Sequence, residues 1–343
     1  MNGYKKILSV LSGKFPGSVS SMLHSFMVAA AEKGYTQGEY RSSPEKIART
    51  HIDFARKYGL DGVFIDVDTC LEAGAVGVEV DLPENDPARV ITGLSTDLDI
   101  CIDAMDKDCL LQNDRIKILL DGVNKISREV KGELLIRGNA DQGPFSLAML
   151  TVGMTEFFMN LADKAKHEKT RILIDRALEV HLEFHRLMIE AGADITSLGD
   201  SSCGPDLISR EMYMEFSYPY HVKLAKSLEE EGIQSIIHIC GNLDIILEDV
   251  VNTGFPAVEV DYKTDINRAQ TIMSGSHTIL FGPIDPVAGF LNETPERLAR
   301  KTREILDIFS GRGIVIGAGC ALPPDVSEDN LRAFSDAVRQ YHE

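Results

Sequence analysis

Two segments of the chain carry side chains that could hold a metal. In S-I-I-H-I-C-G-N (235–242), His238 and Cys240 stand two apart at the end of an apolar run. On a β-strand residues i and i+2 face the same side, so the imidazole and the thiolate can meet at one point. Cys320 follows another apolar run in V-I-G-A-G-C-A-L-P-P (315–324), on a loop freed by glycines. One imidazole and two thiolates suit zinc, and three protein ligands with an exchangeable fourth position are the pattern of a catalytic site, since structural zinc is closed by four residues. Polar residues follow other short apolar runs: Asp66, Asp68 and Glu72, then Asn139 to Asp141, Asp200 to Ser202, and Asp285. Of these, Asp66, Asp200 and Ser202 are candidates for catalytic contacts. His24, Asp68, Glu72, Asn139 and Asp285 are candidates for binding substrate. The plainer alternatives are a helix N-cap for Asp200 and a partly buried structural role for His24.

Residues that follow strands converge only if the strands lie side by side, and the sequence supplies that arrangement. Apolar runs alternate with amphipathic stretches from residue 40 onward. Ser43-Pro44 opens a helix, with Pro at its first position, and Gly59 ends it. Gly62–Ile65, Glu133–Ile136, Ile195–Leu198, Ser235–Ile239, Ala257–Val260, Thr278–Phe281 and Gly313–Ile316 read as strands. The helices between them include Thr170–Ala191, 210–230, Leu243–Val251, Asn267–Met273 and Thr294–Phe309, several ending on glycine. Ser18–Met22 as a first strand makes eight. Strands alternating with helices mean βαβ units and a parallel sheet. Eight repeats favour one closed (β/α)8 TIM-type barrel over residues 1–343, with the site where the strands end. Residues 67–132 are too many for one connection and predict an insertion over the barrel mouth.

Composition narrows the partners. The chain holds 35 Lys+Arg against 53 Asp+Glu, a net charge of −18, which repels nucleic-acid phosphates and anionic membranes. No apolar run reaches the ~20 residues needed to span a bilayer, and MNGYKKILSVLSGKFPG reads as a first helix rather than a signal peptide. Six sparse cysteines in a large chain argue against a disulfide framework and for a reducing, cytoplasmic setting. Cys70, Cys101, Cys109 and Cys203 read as packing residues. His181 and His185, in H-L-E-F-H, do not form H-E-x-x-H and read as surface or packing residues on a helix.

The blocks G-P-F-S-L-A (143–148), D-S-S-C-G-P-D-L-I-S (200–209) with Pro219-Tyr220, I-H-I-C-G-N (237–242), G-P-I-D-P (282–286) and G-C-A-L-P-P (319–324) are similar to those of the uroporphyrinogen decarboxylase superfamily. Within it the chain resembles the zinc methyltransferases that serve corrinoid proteins. That resemblance implies zinc on His238, Cys240 and Cys320, methylcobalamin or another corrinoid carried by a partner protein, and a small methyl donor or thiol acceptor. The layout is also similar to cobalamin-independent methionine synthase, whose zinc site adds a glutamate. Glu259 would play that part, with Asp261, of the same parity, as competitor. The metal-free decarboxylase branch is the alternative. It resembles this chain less, because residues 18–30 contain no arginine to hold substrate carboxylates. A non-catalytic barrel whose zinc props up the rim is a third reading. In a methyltransferase the metal would lower a thiol's pKa below ~8.5, or act as a Lewis acid on a methylated oxygen or sulfur.

Overall fold

A computed structural model describes residues 1–341; His342 and Glu343, the end of the expected 1–343 unit, lie outside the described residues. Eight strands run parallel: β1 (Ser20–Ser21), β2 (Gly62–Ile65), β3 (Leu135–Gln142), β4 (Ile195–Gly199), β5 (Ser235–Ile239), β6 (Ala257–Val260), β7 (Ile279–Ile284) and β8 (Ile314–Ala318). Their spatial order is β1-β8-β7-β6-β5-β4-β3-β2, which is the (β/α)8 barrel expected. The ring lacks one backbone ladder, between β1 and β2. There Asp61 acts as a clasp: its N–H donates to the Ser21 carbonyl at 3.0 Å, and its carboxylate accepts from the Ser21 N–H at 3.0 Å. Lys6 holds the other carboxylate oxygen at 3.1 Å.

Side-chain parity divides the barrel interior into layers. Toward the N-terminal ends of the strands, Met22, Phe64, Leu135, Ile195, Ile236, Ala257, Ile279 and Val315 form an apolar floor. The helix Gly3–Leu11 seals it from below with Ile7, Val10 and Leu11. Each such buried aliphatic side chain contributes about 1.5–3 kcal/mol. One pleat higher, at the same parity, the residues become polar: Asp66 after Phe64, Arg137 after Leu135, His238 after Ile236 and Glu259 after Ala257. The outward parity (Val63, Ile136, Ile237, Val258, Leu280, Ile314) belongs to the larger core beneath the helices.

Most expected elements form with small shifts, and three differ for physical reasons. β1 has only two residues, although the Met22 N–H still reaches the Ile316 carbonyl at 3.1 Å. β3 begins at Leu135 and runs on to Gln142, through R-G-N-A-D-Q; that polar stretch breaks the apolar pattern while remaining buried inside the barrel. The helix expected at 210–230 is two, Arg210–Phe216 and Tyr218–Glu230, because Pro219 has no N–H to continue the ladder. The long connection from β2 to β3 holds the helix Leu71–Ala75, a hairpin of Glu79–Asp81 with Arg89–Thr92, and the helix Leu98–Ala104. It ends in the helix Asp114–Val130, packed along Pro44–Tyr58. Gly122 permits that close approach, since a Cβ there would lie 2.9 Å from Ile47. No single helix among the described residues is long and apolar enough to cross a membrane; only the bent pair Pro144–Val152 and Met154–Ala162 passes together, and the first of these is buried.

Candidate metal centre and its cavity

β5 presents His238, and Cys240 follows it on the same face; Cys320 comes from the loop after β8. The ligand atoms of the three lie within 4.8 Å of one another. His238 Nδ1 donates to the Glu259 backbone carbonyl at 3.1 Å, which leaves Nε2 directed at Cys240 Sγ, 3.0 Å away. Fixing one ring nitrogen on a carbonyl is how a ligand imidazole is held in the right tautomer and orientation. Ser201 Oγ lies 3.2 Å from Cys240 Sγ and supports it. A nitrogen and two sulfurs converging in this way fit zinc by donor type.

The protonation of the trio follows from its closeness. The hydrogen bond from Cys320, then the charge of His238, hold Cys240 down to about 3 despite burial. Burial alone would push His238 down, but the Cys240 thiolate beside it raises it to about 10. Cys320, bonded to Cys240 and buried, is pushed well above the ordinary thiol value. One thiolate is therefore formed at neutral pH, and a cation there would displace protons from the other two donors.

The trio sits in the wall of a cavity of ≈ 230 Å³ inside the C-terminal ends of the strands. His24 and Asp66 face it as a pair, Nε2 to Oδ2 at 2.8 Å, with the His24 ring 4.1 Å from that of Phe64. Asp68 and Asn139 also line it; Asp68 pairs with Arg115, and Asn139 Oδ1 accepts from Ser197 Oγ at 3.2 Å. Phe26, Met27, Phe64 and Leu198 supply apolar wall, while exposed Thr69 and half-buried Pro87, from the long β2–β3 connection, mark the rim.

Other expected site residues are placed elsewhere. Glu259 lines the cavity, but its carboxylate is paired with Arg137 and stands outside the donor trio. Asp261, the competitor, accepts the Gly241 N–H at 2.9 Å. Asp200 is fully buried and off the cavity. It accepts the N–H groups of Ser146 (2.8 Å) and Phe145 (3.3 Å) at the start of Pro144–Val152, and meets His221 Nε2 at 2.9 Å. Gly143 makes room for it, since a Cβ there would come within 2.7 Å of the Asp200 side chain. Burial favours its neutral form, but His221 and Ser146 outweigh that and keep it ionised. Ser202 likewise stands off the cavity and donates its N–H to Ser146 Oγ at 3.0 Å; its neighbour Ser201 is the one that lines the cavity and meets Cys240. Asp285 caps the short helical turn Pro286–Leu291.

Glu72 lies in the core at the head of a buried relay. His181 Nδ1 is 3.1 Å from Glu72, His181 Nε2 is 3.0 Å from His185 Nε2, and His185 Nδ1 is 2.7 Å from Thr196 Oγ1. Burial pushes Glu72 well up, His181 down to about 4 and His185 well down. Both histidines are neutral at pH 7 and burial biases Glu72 toward its protonated form; with that proton in place the relay runs in one direction, Glu72 donating to His181, His181 to His185, and His185 to Thr196.

The residue that sequence reasoning missed is Arg137, buried on β3 with its guanidinium 3.6 Å from the Phe64 ring centroid. The signal is present, because Arg137 and Asn139 share Leu135's inward parity, but the apolar run that predicts the strand stops one residue before Arg137.

A profile of the uroporphyrinogen decarboxylase (URO-D) family matches residues 11–341. The chain belongs to that family. Methylcobamide:CoM methyltransferase MtbA of Methanosarcina mazei is 30% identical over 68% of this chain and 67% of its own length. Methylcobamide:CoM methyltransferase MtaA of Methanosarcina barkeri is 24% identical over 98% of this chain and 97% of its own. Among solved structures, a methyltransferase from Methanosarcina mazei superposes with a TM-score of 0.89 at 23% identity, covering 98% of both chains. That likeness shows the URO-D fold along the whole barrel.

Proposed function

We propose that this URO-D family member is a zinc-dependent methyltransferase that moves a methyl group between a corrinoid, carried by a separate protein, and a small thiol or O-/S-methyl compound. The convergence of His238, Cys240 and Cys320 inside an open cavity carries the reading. Zinc bound there would lower the pKa of a thiol, or polarise a methylated oxygen or sulfur. The chain's own residues then do the rest. His238 is oriented by the Glu259 carbonyl, and Ser201 steadies Cys240. Phe26, Met27, Phe64 and Leu198 exclude water beside the sulfur ligands, which strengthens electrostatic interactions there. His24 and Asp66, 2.8 Å apart, can hold or pass a proton beside the rings of Phe26 and Phe64. The names of the relatives, methylcobamide:CoM methyltransferases, support a corrinoid as one partner in the exchange.

The decarboxylase alternative would bring several carboxylates into a cavity whose one arginine among the described residues, Arg137, is already paired with Glu259. The deciding experiment is metal analysis of protein purified without added zinc, together with methylcobalamin demethylation by a small thiol, followed by absorbance. Near-stoichiometric zinc and thiol-dependent demethylation are expected, and Cys320→Ala should lose both while its melting temperature falls only modestly. A Cys320→Ala protein that keeps zinc and demethylates at the wild-type rate would rule the centre out. Aggregation of that variant would instead indicate a metal that props up the rim.

A further inference from the structure

The charges around the cavity restrict what its small substrate can be. Three carboxylates line it (Asp66, Asp68 and Glu259) against a single guanidinium, that of Arg137. That guanidinium is committed to Glu259 and stacked on Phe64, so its positive charge is already balanced. Asp68 is paired from outside with Arg115, and Asp66 is hydrogen-bonded to His24. Among the described residues no lysine lines the space. Two cysteine thiolates cancel the charge of a divalent cation, so the metal centre offers no surplus positive charge either. An anionic tail on the substrate would therefore enter a partly buried space with no unpaired cation, and burying an unpaired charge is costly. A neutral tail meets a different situation. Asn139 lines the cavity with its Oδ1 occupied by Ser197, which leaves its amide N–H groups to donate to a hydroxyl.

We infer that the small methyl carrier taken by this site bears no acidic group: it is an uncharged or cationic thiol, thioether or methyl ether. The inference rests on the methyl-transfer reading and deepens it by naming the substrate class. It predicts a departure from any relative whose thiol substrate is an anion.

Three thiols of equal length separate the possibilities: 2-mercaptoethanol, cysteamine and 2-mercaptoethanesulfonate, which place a hydroxyl, an ammonium and a sulfonate two carbons from the same sulfur. Binding to the purified zinc-loaded chain is measured by calorimetry, and methylcobalamin demethylation in parallel by absorbance. The neutral and cationic thiols should bind more tightly than the sulfonate by about tenfold or more, the scale of one uncompensated charge at low effective dielectric. Asp68→Asn, which frees Arg115, should shift the sulfonate-to-hydroxyl ratio toward the sulfonate. Taking that ratio cancels the thiols' intrinsic reactivities, and a merely structural role for Asp68 would leave it unmoved. If the sulfonate binds best to the wild type, the inference is overturned, and Arg137 must exchange Glu259 for the substrate anion. An unchanged ratio in Asp68→Asn, or no binding of any thiol, overturns it equally. Ranked binding in the expected order without demethylation would keep the inference about the tail and sink methyl transfer instead.

Discussion

Replacing Arg137 by Met tests how the polar layer of the barrel is held together. Arg137 is 2% exposed and Glu259 3%, so water cannot compensate either charge if its partner is lost. Breaking a buried pair by removing one member costs about 3–5 kcal/mol. The lost stacking of the guanidinium on Phe64, at 3.6 Å, adds up to about 2 kcal/mol when desolvated. Arg137→Met should therefore lower the unfolding free energy by about 3–7 kcal/mol, a large part of the ordinary 5–15. Met approximates the stem's volume, so the loss should come mainly from charge. The double variant Arg137→Met/Glu259→Gln should recover most of it. pH gives a second reading. In the wild type burial favours the neutral form of Glu259, but Arg137 and His238 outweigh it and keep the carboxyl low. Without Arg137 the folded-state pKa rises above the unfolded value. The stability that follows is present below the unfolded pKa and is lost as pH climbs through the folded one. The single variant should thus approach wild-type stability on acidification, and the double variant should not show this gain. Chemical denaturation between pH 4 and 8 measures both. Arg137→Met as stable as wild type at pH 7 would refute the buried-pair account.

Asp200→Ala removes the acceptor for two helix N-terminal N–H groups and for His221, and should cost about 3 kcal/mol from the lost cap and the stranded donors. Demethylation per folded molecule should survive, whereas its complete loss with stability intact would return Asp200 to the chemistry. Glu72→Gln preserves the donor to His181. It should be neutral or stabilising at pH 7, because the raised pKa of Glu72 makes its contribution fall as pH rises above the unfolded value. A loss above about 2 kcal/mol on denaturation would show that Glu72 is ionised in the fold.

The convergence of His238, Cys240 and Cys320 was legible because strand parity makes His238 and Cys240 share a face, and Cys320 follows a strand that ends on the same rim. The barrel was legible from its repeating rhythm for the same reason. The polar interior was not. Arg137, Asn139 and Gln142 sit on a strand whose polar letters look like a loop, because alternation signals a strand only when its inward side is apolar. Asp200 and Glu72 were misplaced by the opposite error. An acid after a strand reads as facing the mouth, yet one is drawn beneath the surface by N–H groups and a histidine, and the other by His181. Sequence distance hides both partners: Glu72 and His181 are 109 residues apart.

The helix Gly3–Leu11, which closes the barrel floor with Ile7, Val10 and Leu11, makes the cavity a cul-de-sac. If the protein works as proposed, small molecule and corrinoid would share one doorway, with the smaller one deeper. Loading would then be ordered: the small substrate would seat first, and a docked carrier would lock it in until the carrier leaves. In steady-state kinetics an excess of the carrier protein should slow turnover, because a carrier that arrives at an empty site blocks the way for its own co-substrate.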